Sequence, residues 1–288
     1  MSASARRARF RAILAGPHCV HPASVHDPVS ARIAADLGFE TAMFAGSIAS
    51  LAVLGAPDIV ALTLTEFAEQ ARRICRAGAP PLLVDADHGY GNALNAMRTA
   101  QELEAAGVAA LTIEDTALPR DYGSGKTRLL SLEEGLGKVR AALAGREDPA
   151  TVIVARTSAI TVTGLEDARA RARAYAASGA DALFLTGIAE PAQLEAIRPE
   201  LNGLPIILGG VPEAIQDRAL LAAHGVRICL QGHQPFMAAM GAIRATLAAL
   251  REGTPPSKLA GLPPPSLLKA ASREEDYARW TQDFLGGA

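Results

Sequence analysis

The sequence predicts an α/β protein: a (β/α)8 barrel of the TIM type over residues 1–250, followed by a C-terminal helical extension over residues 251–288. Three observations predict it. Short apolar runs alternate with Ala-, Arg- and Glu-rich helical stretches as far as residue 250. Glycine recurs where a helix hands over to the next run, at Gly38, Gly78, Gly107, Gly179 and Gly225, the place of a helix C-cap. Polar residues gather at the far ends of the runs. Strand–helix alternation repeated eight times closes naturally into a barrel, a fold that takes about 250 residues. An open doubly wound sheet is the alternative, but no dinucleotide fingerprint follows the first run.

Taken in order, the Arg- and Ser-bearing start, Met1–Arg11, faintly resembles a transit peptide but lacks a secretory apolar core, and Phe10, Ile13 and Leu14 fit an amphipathic leading helix at least as well. The strands are expected near Cys19–Ser24, Thr41–Ala45, Pro81–Asp85, Ala109–Glu114, Thr151–Arg156, Ala182–Leu185, Pro205–Leu208 and Arg227–Leu230. The helices are expected near Val29–Leu37, Leu64–Ala77, Leu94–Ala106, Leu132–Leu143, Leu165–Ser178, Pro191–Arg198, Pro212–His224 and Pro235–Leu250. Beyond Leu250 the pattern breaks into a stiff connector with Pro255-Pro256 and Pro263-Pro264-Pro265. Ser272-Arg273-Glu274-Glu275 reads as a capping box. Behind it Tyr277, Trp280 and Phe284 recur at helical spacing, a packing face for the barrel or a neighbouring subunit.

Composition narrows the function. A net charge of −2 provides no basic field for nucleic acid. The apolar runs fall short of the roughly 20 residues that span a bilayer, so no membrane partner is expected. Cys19, Cys75 and Cys229 lie far apart without metal-type spacing and read as reduced core residues, which suits a cytoplasmic protein.

The chemistry concentrates at Val84-Asp85-Ala86-Asp87-His88-Gly89-Tyr90-Gly91-Asn92. A buried strand ends there in two acids and turn residues. Carboxylates two residues apart on a strand point the same way and can share a hard cation; alternatively, they cap the next helix. Other strand ends carry Gly46-Ser47, Glu114-Asp115, Arg156-Thr157 and Gly232-His233. A barrel collects all these ends at one mouth, and together they fit a metal and anion site. Gly123-Ser124-Gly125-Lys126-Thr127 imitates a phosphate-binding loop, but its first glycine position holds Arg120. Leu118–Leu130 reads either as a lid over the mouth or as an inert surface loop. His88 lies in the acidic loop with no role that spacing reveals.

These stretches, with Ser24-Val25-His26-Asp27-Pro28 and Ile113-Glu114-Asp115, resemble the isocitrate lyase/phosphoenolpyruvate mutase superfamily over roughly residues 10–250. Asp87-His88-Gly89-Tyr90-Gly91-Asn92, Glu133-Glu134-Gly135-Leu136-Gly137-Lys138 and Gly232-His233 are most similar to its oxaloacetate decarboxylase branch. The resemblance implies an α/β barrel that binds Mg²⁺, with Mn²⁺ as a substitute. It places Asp85 on the metal, with Asp58, Asp87 and Glu114 acting through waters. It assigns Ser47 and Arg156 to the substrate carboxylate and oxo end, and brings His233 to the substrate from strand eight, so that Asp85, Arg156 and His233 are the catalytic set. It also implies a homodimer or homotetramer that exchanges the eighth helix. The loop at residues 116–131 lacks the cysteine of the isocitrate lyases, and Ser158 replaces the acid or amide common after Arg-Thr.

The expected reaction is Mg²⁺-dependent decarboxylation of oxaloacetate to pyruvate and CO₂ through a metal-stabilised enolate. Phosphonopyruvate-handling mutase or hydrolase chemistry and oxaloacetate acetylhydrolase-like C–C hydrolysis are alternatives within the superfamily. A non-catalytic metabolite-binding barrel is the alternative outside it.

Overall fold

Eight parallel strands form one sheet in sequence order: β1 (Ala23–Ser24), β2 (Ala42–Phe44), β3 (Leu82–Asp85), β4 (Ala110–Glu114), β5 (Val152–Thr157), β6 (Ala182–Leu185), β7 (Ile206–Leu208) and β8 (Val226–Cys229). In this computed structural model, which describes residues 1–123 and 125–286, the sheet closes on itself. Val20, just ahead of β1, bridges to Ile228 of β8. Its N–H donates to Arg227 O at 2.9 Å, and its carbonyl accepts from Cys229 N at 3.0 Å. The barrel is the one that the alternating pattern predicts. Its strands are apolar almost throughout because helices cover the outer face while side chains fill the interior.

The chain divides into two compact units, Met1–Gly232 and His233–Ala288. The helix Gln234–Arg251 belongs to the second of these units. In the first unit the expected helices, apart from the one over Pro212–His224, form with small shifts at their ends. Thr63 and Glu66 cap the helix Leu64–Arg76 reciprocally. The five joint glycines all have positive φ; at Gly107 (91°) the backbone turns out of the helix Ala93–Ala106 in a left-handed conformation that a side chain would oppose.

Three departures have local causes. The segment expected as one helix over Pro212–His224 splits into a 3-10 turn, Glu213–Ile215, and a short helix, Arg218–Ala223. Asp217 accepts from Leu220 N at 2.7 Å and so starts a new helix instead of continuing the old one. A helix Gly46–Ala49 runs into a π-helical turn Ser50–Leu54 straight after β2, too short to leave a periodic signal. The capping box expected at Ser272 does not form: the Ser272 hydroxyl donates back to Lys269 O at 3.1 Å. Ser272 therefore ends the helix Pro265–Ser272, and Arg273 turns the chain at φ 61° into the helix Glu274–Leu285. Within this second unit Tyr277 and Trp280 meet edge to face at 5.1 Å. Among the described residues, no helix is long and apolar enough to cross a membrane.

The leading helix Ala3–Ala15 closes the floor of the barrel, and arginines fasten it there. Arg7, buried, donates to Val108 O (3.2 Å), Glu104 O (2.6 Å) and Asp148 Oδ2 (2.7 Å). Arg11 donates to Pro149 O (2.7 Å), Ala150 O (3.0 Å) and Asp181 Oδ1 (3.0 Å). Arg7→Ala would strip two main-chain carbonyls and a carboxylate of their donor. We expect it to lower the unfolding free energy by about 2–4 kcal/mol. A urea midpoint unchanged from the wild type would show that this helix does not hold the floor.

Candidate active site

Strand register assembles the mouth of the barrel. Asp85 ends β3 opposite Thr112 of β4, Glu114 ends β4 opposite Arg156 of β5, and Arg156 stands opposite Phe184 of β6. Alternation points Thr112 and Glu114 to the same face. Asp85, nearly buried, accepts from Thr112 Oγ1 at 2.9 Å and from Arg156 Nη1 in a short charge-assisted bond. Arg156 Nε lies 3.1 Å from Glu114 Oε2, close enough for an ion pair but too poorly aligned for a hydrogen bond. The guanidinium also packs over the Phe184 ring, 5.2 Å from its centroid.

The acidic loop is held in an unusual backbone shape. Asp87 and Tyr90 have φ of 47° and 58°, flanking Gly89 at 78°. Glu114 N donates to Asp87 O at 2.9 Å, and the buried Lys138 donates to His88 O at 2.9 Å. The Asp87 carboxylate packs against Gly46, where an added Cβ would stand 2.8 Å from Oδ1. Ser47 is the next residue, in the first turn of Gly46–Ala49. Asp58 follows the π-helical turn, exposed at the lip of the mouth.

The electrostatics reveal a surplus of negative charge. Burial first, then Asp85, Glu114 and Asp58, push the Asp87 carboxyl up to about 8. Glu114 is also raised, by burial above all, against the opposing pull of Arg156. Asp58 is raised by the protein around it and then by Asp85, despite its exposed position. Burial works against the Arg156 cation, but Asp85 and Glu114 outweigh it and hold the guanidinium charged. Four carboxylates facing one guanidinium suit a hard divalent cation. No three such groups converge closely enough, among the described residues, to grip a metal by themselves. That donor set fits Mg²⁺, which keeps several waters and takes only one or two carboxylates directly.

Other expected residues stand elsewhere. Asp115 points away from the mouth and accepts from Arg171 Nη1 at 2.9 Å and Tyr175 OH at 2.8 Å. The loop beyond it is pinned at its base: Ala117 N donates to Arg128 O and Leu130 N to Asp115 O, both at 2.8 Å. Ser124, part of both the lid and the phosphate-loop readings, lies outside the described residues. Among the described residues, no strand leads into Gly123. Ser158 does not touch Arg156; its hydroxyl faces Thr116 at 3.5 Å. His233 begins the second unit as the residue preceding the helix Gln234–Arg251.

Sequence reasoning missed Thr112 and Phe184, and it named Lys138 without a role. Thr112 and Phe184 were traceable: the first shares a strand face with Glu114, and the second sits where β6 pairs with Arg156.

A family model described as phosphoenolpyruvate phosphomutase matches residues 10–251. The chain belongs to the phosphoenolpyruvate mutase/isocitrate lyase superfamily. It is 56% identical over 286 residues, 99% of each chain, to a protein of Bradyrhizobium diazoefficiens named oxaloacetate decarboxylase. A similarly named protein of Bradyrhizobium sp. (strain BTAi1) is 57% identical over 285 residues, again 99% of each chain. Among solved structures of the superfamily, phosphonopyruvate hydrolase in complex with oxalate and Mg²⁺ superposes with a TM-score of 0.84 at 30% identity, covering 99% of this chain and 100% of the other. Oxaloacetate acetylhydrolase with 3,3-difluorooxalacetate gives 0.85 at 27%, covering 100% and 99%.

His88 provides a test of how dry the loop of this superfamily member is. Its ring is buried, Nδ1 has no partner, and burial followed by the Lys138 charge lowers its pKa from 6.5 to about 4. The folded state then binds fewer protons than the unfolded chain between those values. Its contribution is therefore complete above pH 6.5 and is lost as the pH falls towards 4. In chelator, His88→Gln should remove about 3 kcal/mol of the stability change across that window. An unchanged slope of unfolding free energy against pH would contradict the burial of the ring.

Proposed function

We propose that this protein decarboxylates oxaloacetate to pyruvate and CO₂ with Mg²⁺, or Mn²⁺ in its place, in the cytoplasm. One observation carries the reading: Asp85, Glu114 and Arg156 lie side by side at the ends of adjoining strands, where they would form a cation site beside a carboxylate receptor. The full-length likeness to proteins named oxaloacetate decarboxylase supports the choice of substrate.

Asp85 would hold the cation directly, and Asp58, Asp87 and Glu114 would hold its waters. When bound, the cation supplies Lewis-acid stabilisation for charge that develops on the C2 oxygen. Arg156 can grip a carboxylate through two parallel N–H bonds, with Phe184 keeping its plane fixed. Ser47 and the backbone N–H groups of the first turn after β2 would orient the oxo end. The C3–C4 bond breaks, its electron pair passes into the enolate, CO₂ departs, and protonation at C3 yields pyruvate. The reaction needs no nucleophile and no organic cofactor. His233 would steer the leaving carboxylate so that the breaking bond stands perpendicular to the carbonyl plane. The protein is further proposed to assemble as a homodimer or homotetramer by exchanging the helix Gln234–Arg251, which carries Met237, Met240, Ile243 and Leu247.

A panel of 2-oxo acids with Mg²⁺, following pyruvate, oxalate and phosphate separately, tests the assignment. Pyruvate formation from oxaloacetate without oxalate is expected; oxalate as the main product would point to C–C hydrolysis, and phosphate to phosphonopyruvate chemistry. Asp85→Asn keeps the shape and the Thr112 bond but removes the charge, so its activity should fall at least a thousandfold, about 4 kcal/mol of barrier. Excess chelator should do the same to the wild type. Full activity in either case would overturn the mechanism. His233→Ala should keep Mn²⁺ binding by electron paramagnetic resonance while losing about ten- to a thousandfold in kcat/KM, roughly 1.4 to 4 kcal/mol. A change below twofold in both kcat and KM would remove His233 from the site.

A further inference from the structure

The first unit has a sizeable cavity away from the mouth. It opens at the opposite end of the barrel, between the leading helix and the N-terminal ends of β6, β7 and β8, with a volume of about 660 Å³. That volume falls within the range of small-molecule sites, about 300–1,000 Å³. Its charge is one-sided. Arg11, Arg198, His224 and Arg227 line it, and Asp181 is the acid among them. Asp181 is already committed: Arg11 and Arg146 donate to its two oxygens at 3.0 and 2.6 Å, and Ile153 N donates to one of them at 2.9 Å.

Arg198, Arg227 and His224 have no acid paired with them among the described residues. Arg198 uses Nη1 on Ala223 O at 2.6 Å. Arg227 uses Nη1 on Ala222 O at 3.0 Å and Val226 O at 3.1 Å. Neither guanidinium has a carboxylate partner, and none reaches His224, among the described residues. By contrast, Arg7, Arg146, Arg156, Arg169, Arg171 and Arg173 elsewhere on the barrel each have a carboxylate partner. Glu195 borders an adjoining hollow that shares Arg198 and His224, and forms no ion pair with either. The rest of the wall is aliphatic: Leu14, Leu201, Leu204, Pro205 and Ile206, with no aromatic ring on which a base could stack.

We propose that this floor cavity binds a compact dianion with a short aliphatic body, either an alkyl phosphomonoester or an aliphatic dicarboxylate. The free N–H groups of Arg198 and Arg227 would take the anionic head, with His224 beside them, and the leucines and Pro205 would cover the chain. Arginine suits both heads because its planar fork matches carboxylate and phosphate oxygens in pairs. The site is separated from Asp85 and Arg156 by the length of the strands, so its occupant need not compete with substrate.

Isothermal titration of the full chain with n-butyl phosphate, glutarate and inorganic phosphate tests this, the first two separating the two sources of the dianion. Millimolar or tighter binding of n-butyl phosphate or glutarate, stronger than that of inorganic phosphate, is expected. Arg198→Gln and Arg227→Gln should each weaken it about tenfold or more, the loss of one charge-assisted bond. Arg198→Lys, which retains the charge, should recover part of the loss, and Arg156→Gln at the mouth should change nothing. Circular dichroism checks that each variant is folded. Absence of heat with every probe, binding abolished by Arg156→Gln but untouched by the floor variants, or inorganic phosphate binding as tightly as the alkyl ester would each overturn the proposal.

Discussion

Arg156 lies across Asp85 and Glu114 because β3, β4 and β5 keep an unbroken parallel register up to their last residues. The rest of the mouth depends on that contact. Four carboxylates at one barrel end repel one another and lose solvation, which is why Asp87 is driven up to about 8. One guanidinium, charged at any working pH, makes the arrangement tolerable. A buried ion pair of this kind contributes little net stability, because the desolvation it costs offsets most of the attraction. Its value lies in position: the strands on either side fix the guanidinium, and Phe184 beneath it fixes the plane. The same geometry suits a carboxylate substrate.

A division of labour between the two ends of the barrel follows from the strand directions. C-terminal ends lead into loops free to carry acids, positive φ and glycine turns, as residues 85–92 do. N-terminal ends receive chain from helices and hold structural charge. Arg7 and Arg11 there satisfy main-chain carbonyls between Glu104 and Thr151, and so dock the leading helix alongside its buried Phe10 and Leu14. Asp115 shows how sharp the division is along a single strand. Glu114 faces the mouth, while one residue later the side chain has turned outward to Arg171 and Tyr175. One acid faces Arg156 and its neighbour packs outward, as successive residues on extended backbone do.

The sequence by itself determined the barrel, the places of all eight strands, the turn glycines and the acidic stretch after β3, because these rest on local signals: apolar runs, period and turn chemistry. It also carried the superfamily, through motifs whose residues are close in the chain. It did not reveal that Ser272 closes one helix instead of opening the next, because its hydroxyl chose an acceptor behind it, and several short stretches offer both options. Nor did it show that Lys138 holds the acidic loop through His88 O, a contact between residues fifty positions apart. Only the tertiary structure decided which acids share a space with Arg156, which arginines on the floor stay unpaired, and which of two adjacent carboxylates faces the mouth. Those outcomes depend on distances across strands and on burial, and charge interactions change sign in consequence with a few ångströms and a change of dielectric that no linear pattern encodes.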